Sequence, residues 1–309
     1  MNTNNVLFLG NGINNVYNGK DESWESLLKK LCEKYNVDYQ ITKVLPLPLL
    51  FEHIISFNFR KNDKVEIEAK QFIADYLMKF YPENLHKLIA SLDFNNIITS
   101  NYDLTIEKAM SKNSKFHNLG EIKETHYNLF RRYEIGNTTI WHMHGTILNR
   151  NSITLGFEHY SSYLRMMQEY LLFGNNYKNK IDGVKTKLNN NTLVKTTSWI
   201  DLFFTHDIYI LGLSLDFSEF PLWYLINKRF KMKNGAFKNK IKNKIFYFYS
   251  KYDFNDIENS KPRNNSEQNK KSKIDFLESF DVTTIPIKDF YKNESYYETC
   301  LNKINNIKG

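Results

Sequence analysis

Near its beginning the chain reads Val6-Leu7-Phe8-Leu9-Gly10-Asn11-Gly12. The four apolar residues predict a buried strand, and the glycines predict a tight loop after it. Such a loop lets backbone N–H groups approach a phosphate without obstruction by a Cβ, although a plain tight turn has the same residues. The usual redox dinucleotide fingerprint needs a third glycine where this chain has Asn15 and an acidic residue about 20 residues further on. Both are missing, which disfavours a redox role.

Further apolar runs predict the rest of a sheet, and helical patterns separate them. The predicted strands cover residues 96–100, 138–143, 208–211, 245–249 and 282–287. The predicted helices cover residues 21–35, 104–110 and 158–173, and another begins at about 219. Strands that alternate with helices indicate an α/β fold, here a Rossmann-like, mostly parallel sheet with helices on both faces.

Three segments interrupt this alternation. Residues 38–92 predict mainly helix, broken early at Leu45-Pro46-Leu47-Pro48, and we expect them to form a helical insertion before the second strand. Residues 174–197 are polar and rich in Asn, which predicts a surface excursion, and residues 255–273 have the composition of a flexible loop. We expect residues 1–309 to form one domain.

The composition excludes several classes of protein. Of the 309 residues, 41% are hydrophobic, which is enough for a large core. Cys32 and Cys300 belong to no Cys-x-x-Cys pair, which excludes a four-cysteine zinc site and argues against a disulfide framework. No apolar run reaches the roughly 18 residues of a membrane span, and the first residues lack the pattern of a signal peptide. We therefore expect a cytoplasmic protein.

The chain is basic, with a formal net charge of +8, and much of the excess lies in residues 228–273. A solvated surface rich in Lys and Asn is the favoured interpretation of this stretch. A face for nucleic acid or for an acidic partner is the alternative.

Four polar motifs directly follow predicted strands. They are Gly10-Asn11-Gly12, Asn101-Tyr102-Asp103, His144-Gly145 and Gly212-Leu213-Ser214. Ligands of open parallel sheets bind at the carboxyl ends of the strands, so we expect the four motifs to meet in one site. Helix capping explains one polar residue after residue 100. It does not explain both Asn101 and Asp103, which favours a functional role.

Two histidines, His142 and His144, end the third predicted strand. Residues at i and i+2 of a strand point to the same face, so they fit a metal-binding pair. Zinc sites need three or four ligands, and the third candidate, His159, has no spacing rule behind it. One catalytic histidine beside a structural one is the favoured interpretation, and we expect no metal.

Together the four motifs resemble those of the sirtuin family. The Gly-Ala-Gly-Ile-Ser loop of sirtuins is similar to Gly10-Asn11-Gly12-Ile13-Asn14, and their Gln-Asn-Ile-Asp motif to Ser100-Asn101-Tyr102-Asp103. Their catalytic His-Gly is similar to His144-Gly145, and their Gly-Thr-Ser-Leu to Gly212-Leu213-Ser214-Leu215. The order along the chain is the same. The zinc ribbon and its four cysteines are missing, and Ser100 stands in the place of Gln. These departures resemble a divergent bacterial branch whose characterised members deplete NAD in anti-phage defence, including Thoeris-type systems.

The resemblance implies roles for particular residues. Asn101, His144 and Asp103 would be catalytic: Asn101 would position water or the ribose hydroxyls, His144 would act as the general base, and Asp103 would bind the nicotinamide amide or the ribose. The residues expected to bind NAD+ are Gly10, Asn11, Gly12, Ile13, Asn14, Ser100, Gly212, Ser214 and Leu215. The implied activity is hydrolysis of NAD+ at the nicotinamide–ribose bond.

Two other functions stay open at this point. A protein deacylase uses the same motifs but needs a groove for acyl-lysine, and a nucleotide-binding regulatory module would bind without turnover. Because an unrestrained NAD+ hydrolase would kill its host, we expect a homo-oligomer, a separate activating partner protein or a phage component. We expect no membrane partner, and nucleic acid is not favoured.

Overall fold

The computed structural model describes residues 4–16, 23–42, 44–111, 115–120, 128–175, 180–193, 195–252 and 264–308. One seven-stranded sheet lies at its centre, in the order β3-β4-β2-β1-β5-β6-β7. The strands are β1 (Asn5–Leu9), β2 (Asn96–Thr99), β3 (Arg132–Ile135), β4 (Thr138–His142), β5 (Asp207–Leu211), β6 (Ile245–Ser250) and β7 (Val282–Ile287). Only the pairing of β3 with β4 is antiparallel within the described sheet. The predicted α/β fold with a mostly parallel sheet is confirmed.

Helices surround the sheet. They are α1 (Trp24–Tyr35), α2 (Tyr39–Thr42), α3 (Leu47–Phe59), α4 (Val65–Leu77), α5 (Asn84–Ala90), α6 (Thr105–Met110), α7 (Phe157–Leu172), α8 (Val184–Asn190), α9 (Trp199–Thr205), α10 (Phe220–Asn234), α11 (Asn264–Ser279) and α12 (Glu294–Lys308). A 3-10 helix follows β1 at Asn11–Val16. In the described part of the chain, no helix is both long enough and apolar enough to cross a membrane.

The central strands are apolar on both faces because helices cover both faces. Val6 and Phe8 of β1 belong to a core with helices α7 to α11, whereas Leu7 and Leu9 belong to a core with α5, α6 and α12. A strand buried on both sides is a continuous apolar run rather than an alternating one. This is why residues 6–9 could be recognised as a strand.

A third core joins α1, α3 and α4 to the loops after β2 and β4. It includes Leu28, Ile54 and Ile73 from the helices, and Tyr102 and Ile153 from the loops. The predominantly helical segment predicted at residues 38–92 is therefore present, with helices between residues 39 and 90. The prediction of a break at Leu45-Pro46-Leu47-Pro48 was wrong in one respect: Pro48 lies in the first turn of α3, where a proline needs no backbone N–H. That residues 1–309 form one domain stays a prediction.

Two loop predictions need correction. The segment 174–197 contains α8, whose Val184, Lys187 and Leu188 are buried, so it is not only a surface excursion. Of the segment 255–273, residues 264–273 belong to helix α11 and the rest lies outside the described residues. Part of the predicted first helix, at residues 21–22, also lies outside them.

Candidate active site

A cavity of about 450 Å³ opens at the carboxyl edge of the sheet. Its volume is in the range of small-molecule sites. The ends of β1, β2, β5 and β6, the turn after β4, and helices α1, α4, α11 and α12 supply its walls. The predicted site residues that line it are Asn11, Gly12, Ser100, Asn101, Asp103, His144, Gly212 and Ser214. All four polar motifs thus reach one cavity, as the parallel sheet requires.

The glycine loops after β1 and β5 touch each other at the floor of the site. The Gly10 N–H donates to the Leu211 carbonyl (2.9 Å), and the Gly12 N–H donates to the Gly212 carbonyl (2.8 Å). A Cβ on Gly10 would collide with the Gly212 carbonyl, and one on Gly12 would lie 2.5 Å from the Tyr297 hydroxyl. These glycines therefore serve the contact between the two loops, and their own N–H groups are already used.

His144 lies just beyond β4, in the wall of the cavity. It is 2% exposed, and its ring packs against Tyr160 and Tyr163 on α7, with centroids 5.4 and 6.2 Å apart. Its Nε2 lies 3.1 Å from Glu219 Oε2. Its buried Nδ1 has no hydrogen-bond partner among the residues that the structure describes. Because a carboxylate oxygen accepts, Nε2 carries the hydrogen, and Nδ1 is left with a lone pair.

Asn101 follows β2 and is 6% exposed. Its backbone N–H donates to Thr99 Oγ1 (3.0 Å), and its carbonyl accepts from His142 Nδ1 (3.0 Å). The backbone is thus held on both sides of the side chain. The buried Asn101 Oδ1 has no partner within the described ranges. It is the second buried acceptor, after His144 Nδ1, that belongs to a residue of this wall and has no described partner.

His142 has a structural role. Its Nδ1 donates to Asn101, and its Nε2 lies 2.5 Å from Glu107 Oε1 on α6, with both side chains at most 1% exposed. Both ring nitrogens are therefore occupied, and His142 and His144 pair with different carboxylates. Across the described residues, no group of three or more His, Cys, Asp or Glu side chains could hold a metal ion.

Asp103 is the end of a buried polar chain. Its Oδ1 accepts from the Thr105 N–H and hydroxyl (3.0 and 2.5 Å), which fixes the start of α6. Its Oδ2 accepts from Asn14 Nδ2 (3.0 Å), and Asn14 Oδ1 accepts from His86 Nε2 (2.9 Å). His86 lies on α5, and its Nδ1 accepts the Glu83 N–H (3.0 Å), so the ring is neutral. Burial lowers the pKa of His86, which agrees with this state.

Comparison with known proteins finds one family that matches part of the chain. Residues 95–215 match the family model described as a SIR2-like domain. This part of the chain is sirtuin-like. No curated protein matches it. SIR2-like domains use NAD+, so the match indicates an NAD-dependent enzyme family.

The SIR2-like domain and the first glycine loop contribute different parts of the site. Ser100, Asn101, Asp103, His144, Gly212 and Ser214 lie inside the matched range and line the cavity. Four predicted residues lie behind the cavity wall and do not line it. These are Gly10, Ile13, Asn14 and Leu215. Leu215 has a positive φ of 48°. Their positions indicate support of the wall, through packing for Ile13 and Leu215 and through hydrogen bonds for Asn14.

Sequence reasoning missed several residues at the cavity wall and in contact with it. Trp24 lines the cavity, and its buried Nε1 has no partner in the described part of the chain. Glu219 also lines it and binds both His144 Nε2 and the Tyr160 hydroxyl. Trp24 and Tyr160 gave no signal beyond helical periodicity.

Proposed function

We propose that this chain is an NAD+ glycohydrolase, which uses water to cleave the bond between nicotinamide and ribose. The observation that carries the proposal is the pair of buried acceptors, Asn101 Oδ1 and His144 Nδ1, unpaired by any described residue and lying in one cavity wall. An unpaired buried polar group costs about 1–3 kcal/mol. A ligand that brings ribose hydroxyls and a water molecule to this wall satisfies both atoms.

The topology supports a dinucleotide as the ligand. The strand order reverses between β1 and β5, and ligands of such sheets bind at this switch point. A dinucleotide laid across it has its diphosphate beside the glycine loops, its nicotinamide ribose toward Asn101 and His144, and its adenosine toward Ser214. Lys270 and Lys273 line the cavity on the adenosine side and add positive charge, which suits phosphate oxygens.

The chemistry needs few groups. The nicotinamide of NAD+ is a cationic pyridinium that leaves as a neutral molecule with the electron pair of the broken C–N bond, so no general acid is required. The new bond joins the ribose carbon to a water oxygen, and the proton that this water loses goes to His144 Nδ1. Asn101 Oδ1 accepts from the water or from a ribose hydroxyl and orients it. General-base catalysis contributes about 10²–10⁴ in rate.

The carboxylate of Asp103 has few acceptor positions left for the role that the resemblance implies, binding of the nicotinamide amide or the ribose. Its carboxylate accepts three hydrogen bonds, two from Thr105 and one from Asn14, and Oδ2 has the capacity to accept one more. That position suits a ribose hydroxyl or the nicotinamide amide. Its main contribution is then to hold the loop after β2 against the first glycine loop.

The test is incubation of the purified protein with NAD+ alone and measurement of released nicotinamide. Release without a peptide supports the hydrolase. Release only with an acyl-lysine peptide indicates a deacylase, and binding without release indicates a regulatory module or an effector that awaits its trigger. His144→Ala and Asn101→Ala should each lower the rate of nicotinamide release by at least about 10²-fold. His53→Ala, an exposed histidine on α3, is the matched control and should cleave as wild type does.

We also propose the biological setting: an effector of anti-phage defence that is silent until a partner or phage component activates it and then depletes NAD+. The motif resemblance motivates this proposal. The helical segment between β1 and β2 supports a partner surface, because it exposes large apolar side chains. These are Val44, Leu49, Phe57, Phe59, Ile67, Met78 and Tyr81.

The setting can be tested in cells challenged with phage. Wild type and Asn101→Ala are expressed with their neighbouring genes, and NAD+ is followed through infection. A collapse of NAD+ confined to infected wild-type cells supports the defence role. Constant NAD+ across a broad phage panel contradicts it, while leaving the hydrolase chemistry to the assay with purified protein.

A further inference from the structure

Glu219, whose carboxylate takes no part in the proposed hydrolysis, contacts the proposed general base, His144. Glu219 directly precedes α10 and is 7% exposed. Its Oε2 lies 3.1 Å from His144 Nε2, and its Oε1 accepts from the Tyr160 hydroxyl (2.9 Å). One carboxylate oxygen thus contacts His144 in the cavity wall, and the other binds the fully buried Tyr160 of α7.

The surroundings fix the direction of each of these hydrogen bonds. Burial, and next the negative charge of Glu219, raise the pKa of Tyr160 well above its usual range, so its hydroxyl donates. The carboxylate can then only accept from His144, which places the imidazole hydrogen on Nε2. His144 Nδ1 is the atom left to accept a proton.

We propose that Glu219 is a positioning residue: it holds His144 in the Nε2–H tautomer and stabilises the imidazole ring once Nδ1 has taken a proton. The inference rests on the proposed hydrolase function, which names His144 as the base. A Glu beside a histidine orients the ring as well as stabilising its charged form, as in other sites with a base and an orienting group. Tyr160 in turn holds Glu219, and its ring stacks on Trp24 at 6.0 Å.

A purely structural role for Glu219 is the competing explanation. Its backbone carbonyl already accepts from the Leu222 and Trp223 N–H groups (3.0 and 3.1 Å), and its N–H donates to Asp216 (2.9 Å). These backbone bonds start α10 whatever the side chain is. Substitution of the side chain therefore tests the contact with His144 and leaves the helix start in place.

Two substitutions separate orientation from charge. Glu219→Gln keeps an oxygen that can accept from Nε2–H but removes the negative charge, and we expect kcat to fall about 10–100-fold with KM within about twofold. The acidic limb of the pH–rate profile should move to lower pH, because the neutral amide no longer stabilises the protonated imidazole. Glu219→Ala also removes the acceptor, and kcat should fall about 10-fold further. Unchanged kcat and an unchanged profile in Glu219→Gln would overturn the inference.

Among the described residues, the rings of Tyr160 and Tyr163 on α7 pack against His144. The other titratable groups that line the cavity include Tyr102 and Asp103 after β2, and Lys30, Lys270 and Lys273. All of them are unchanged in Glu219→Gln, so a shift of the profile reports the loss of the Glu219 charge. Burial, with Glu219 as the second cause, raises the pKa of Tyr102 well above its usual range. The matched control is Glu66→Gln, which removes the carboxylate from a second Glu–His pair, with His159, outside the cavity. It should leave the profile in place.

A readout without turnover keeps this inference separate from the proposed function. Nitrogen-15 NMR of the histidine rings reports directly which nitrogen carries the hydrogen. We expect His144 in the Nε2–H form in wild type and Glu219→Gln, and a mixture of forms in Glu219→Ala. An Nδ1–H form in wild type would overturn the assignment even if NAD+ is cleaved. Failure to cleave NAD+ with the expected NMR result would count against the hydrolase alone.

Discussion

The buried pair of His142 and Glu107 gives the sharpest test of the fold beneath the site. His142→Ala removes the donor to a carboxylate that is 1% exposed and the donor to the Asn101 carbonyl. Breaking a buried pair by removing one partner costs about 3–5 kcal/mol, because the remaining charge stays buried. The free energy of unfolding of a domain is only about 5–15 kcal/mol. We therefore expect a large fall in stability.

The assay is urea unfolding followed by circular dichroism, with the midpoint and slope compared between variants. The matched variant Glu107→Gln removes the charge but keeps an oxygen that can accept from His142 Nε2, and we expect it to cost about 1–2 kcal/mol. At a low temperature at which His142→Ala and His144→Ala are both folded, NAD+ cleavage should fall less in His142→Ala than in His144→Ala.

Two results would refute this reasoning. If the free energy of unfolding of His142→Ala lies within about 1 kcal/mol of that of wild type, the buried pair contributes little to stability. If His142→Ala is inactive and His144→Ala is active, the structural and catalytic assignments are exchanged.

Three further predictions concern the metal, the loop contact and pH. NAD+ cleavage should survive treatment with EDTA, and a loss that zinc restores would contradict the metal-free assignment. Gly12→Ala should lower both thermal stability and NAD+ affinity, because its Cβ would meet the Gly212 carbonyl; calorimetry that finds neither change would show that the loops can separate. Hydrogen bonds from His159 and then Lys70 outweigh burial and lower the pKa of Glu66 from 4.5 to about 2. Glu66→Gln should therefore be less stable than wild type above pH 4.5. This difference in stability should vanish as the pH falls from 4.5 through 2.

The sequence was most informative where one physical signal dominated. Buried parallel strands such as residues 6–9 are unbroken apolar runs, and their carboxyl ends meet at one edge, so the motifs after them could be placed together. The register and the strand order were not predictable, because they depend on contacts between distant segments. Strand β3 was missed although Gly136-Asn137 between two short runs is a hairpin signal; Gly136 has a φ of 58°.

Other elements were missed because polar residues concealed their buried faces. In α8 the buried stripe includes Lys187, whose Nζ donates to Asp201 Oδ2 (2.7 Å), so the helix looks solvated in sequence. Helix α11 is mostly polar and packs through Ile274 and Leu277. Glu219 belongs to the site only because α10 begins beside His144, and no local pattern contains that information.

The contact between the two glycine loops has an evolutionary consequence. Gly10 and Gly12 are separated from Gly212 by about two thirds of the chain. The absence of a Cβ in the first loop nevertheless leaves room for the Gly212 carbonyl of the second loop. A side chain gained in one loop requires the other to retreat, so the two segments are free to diverge only together. Across related chains, residues 10–12 and 211–213 should change in a correlated manner, and chains that lost one glycine turn should carry a compensating change in the other.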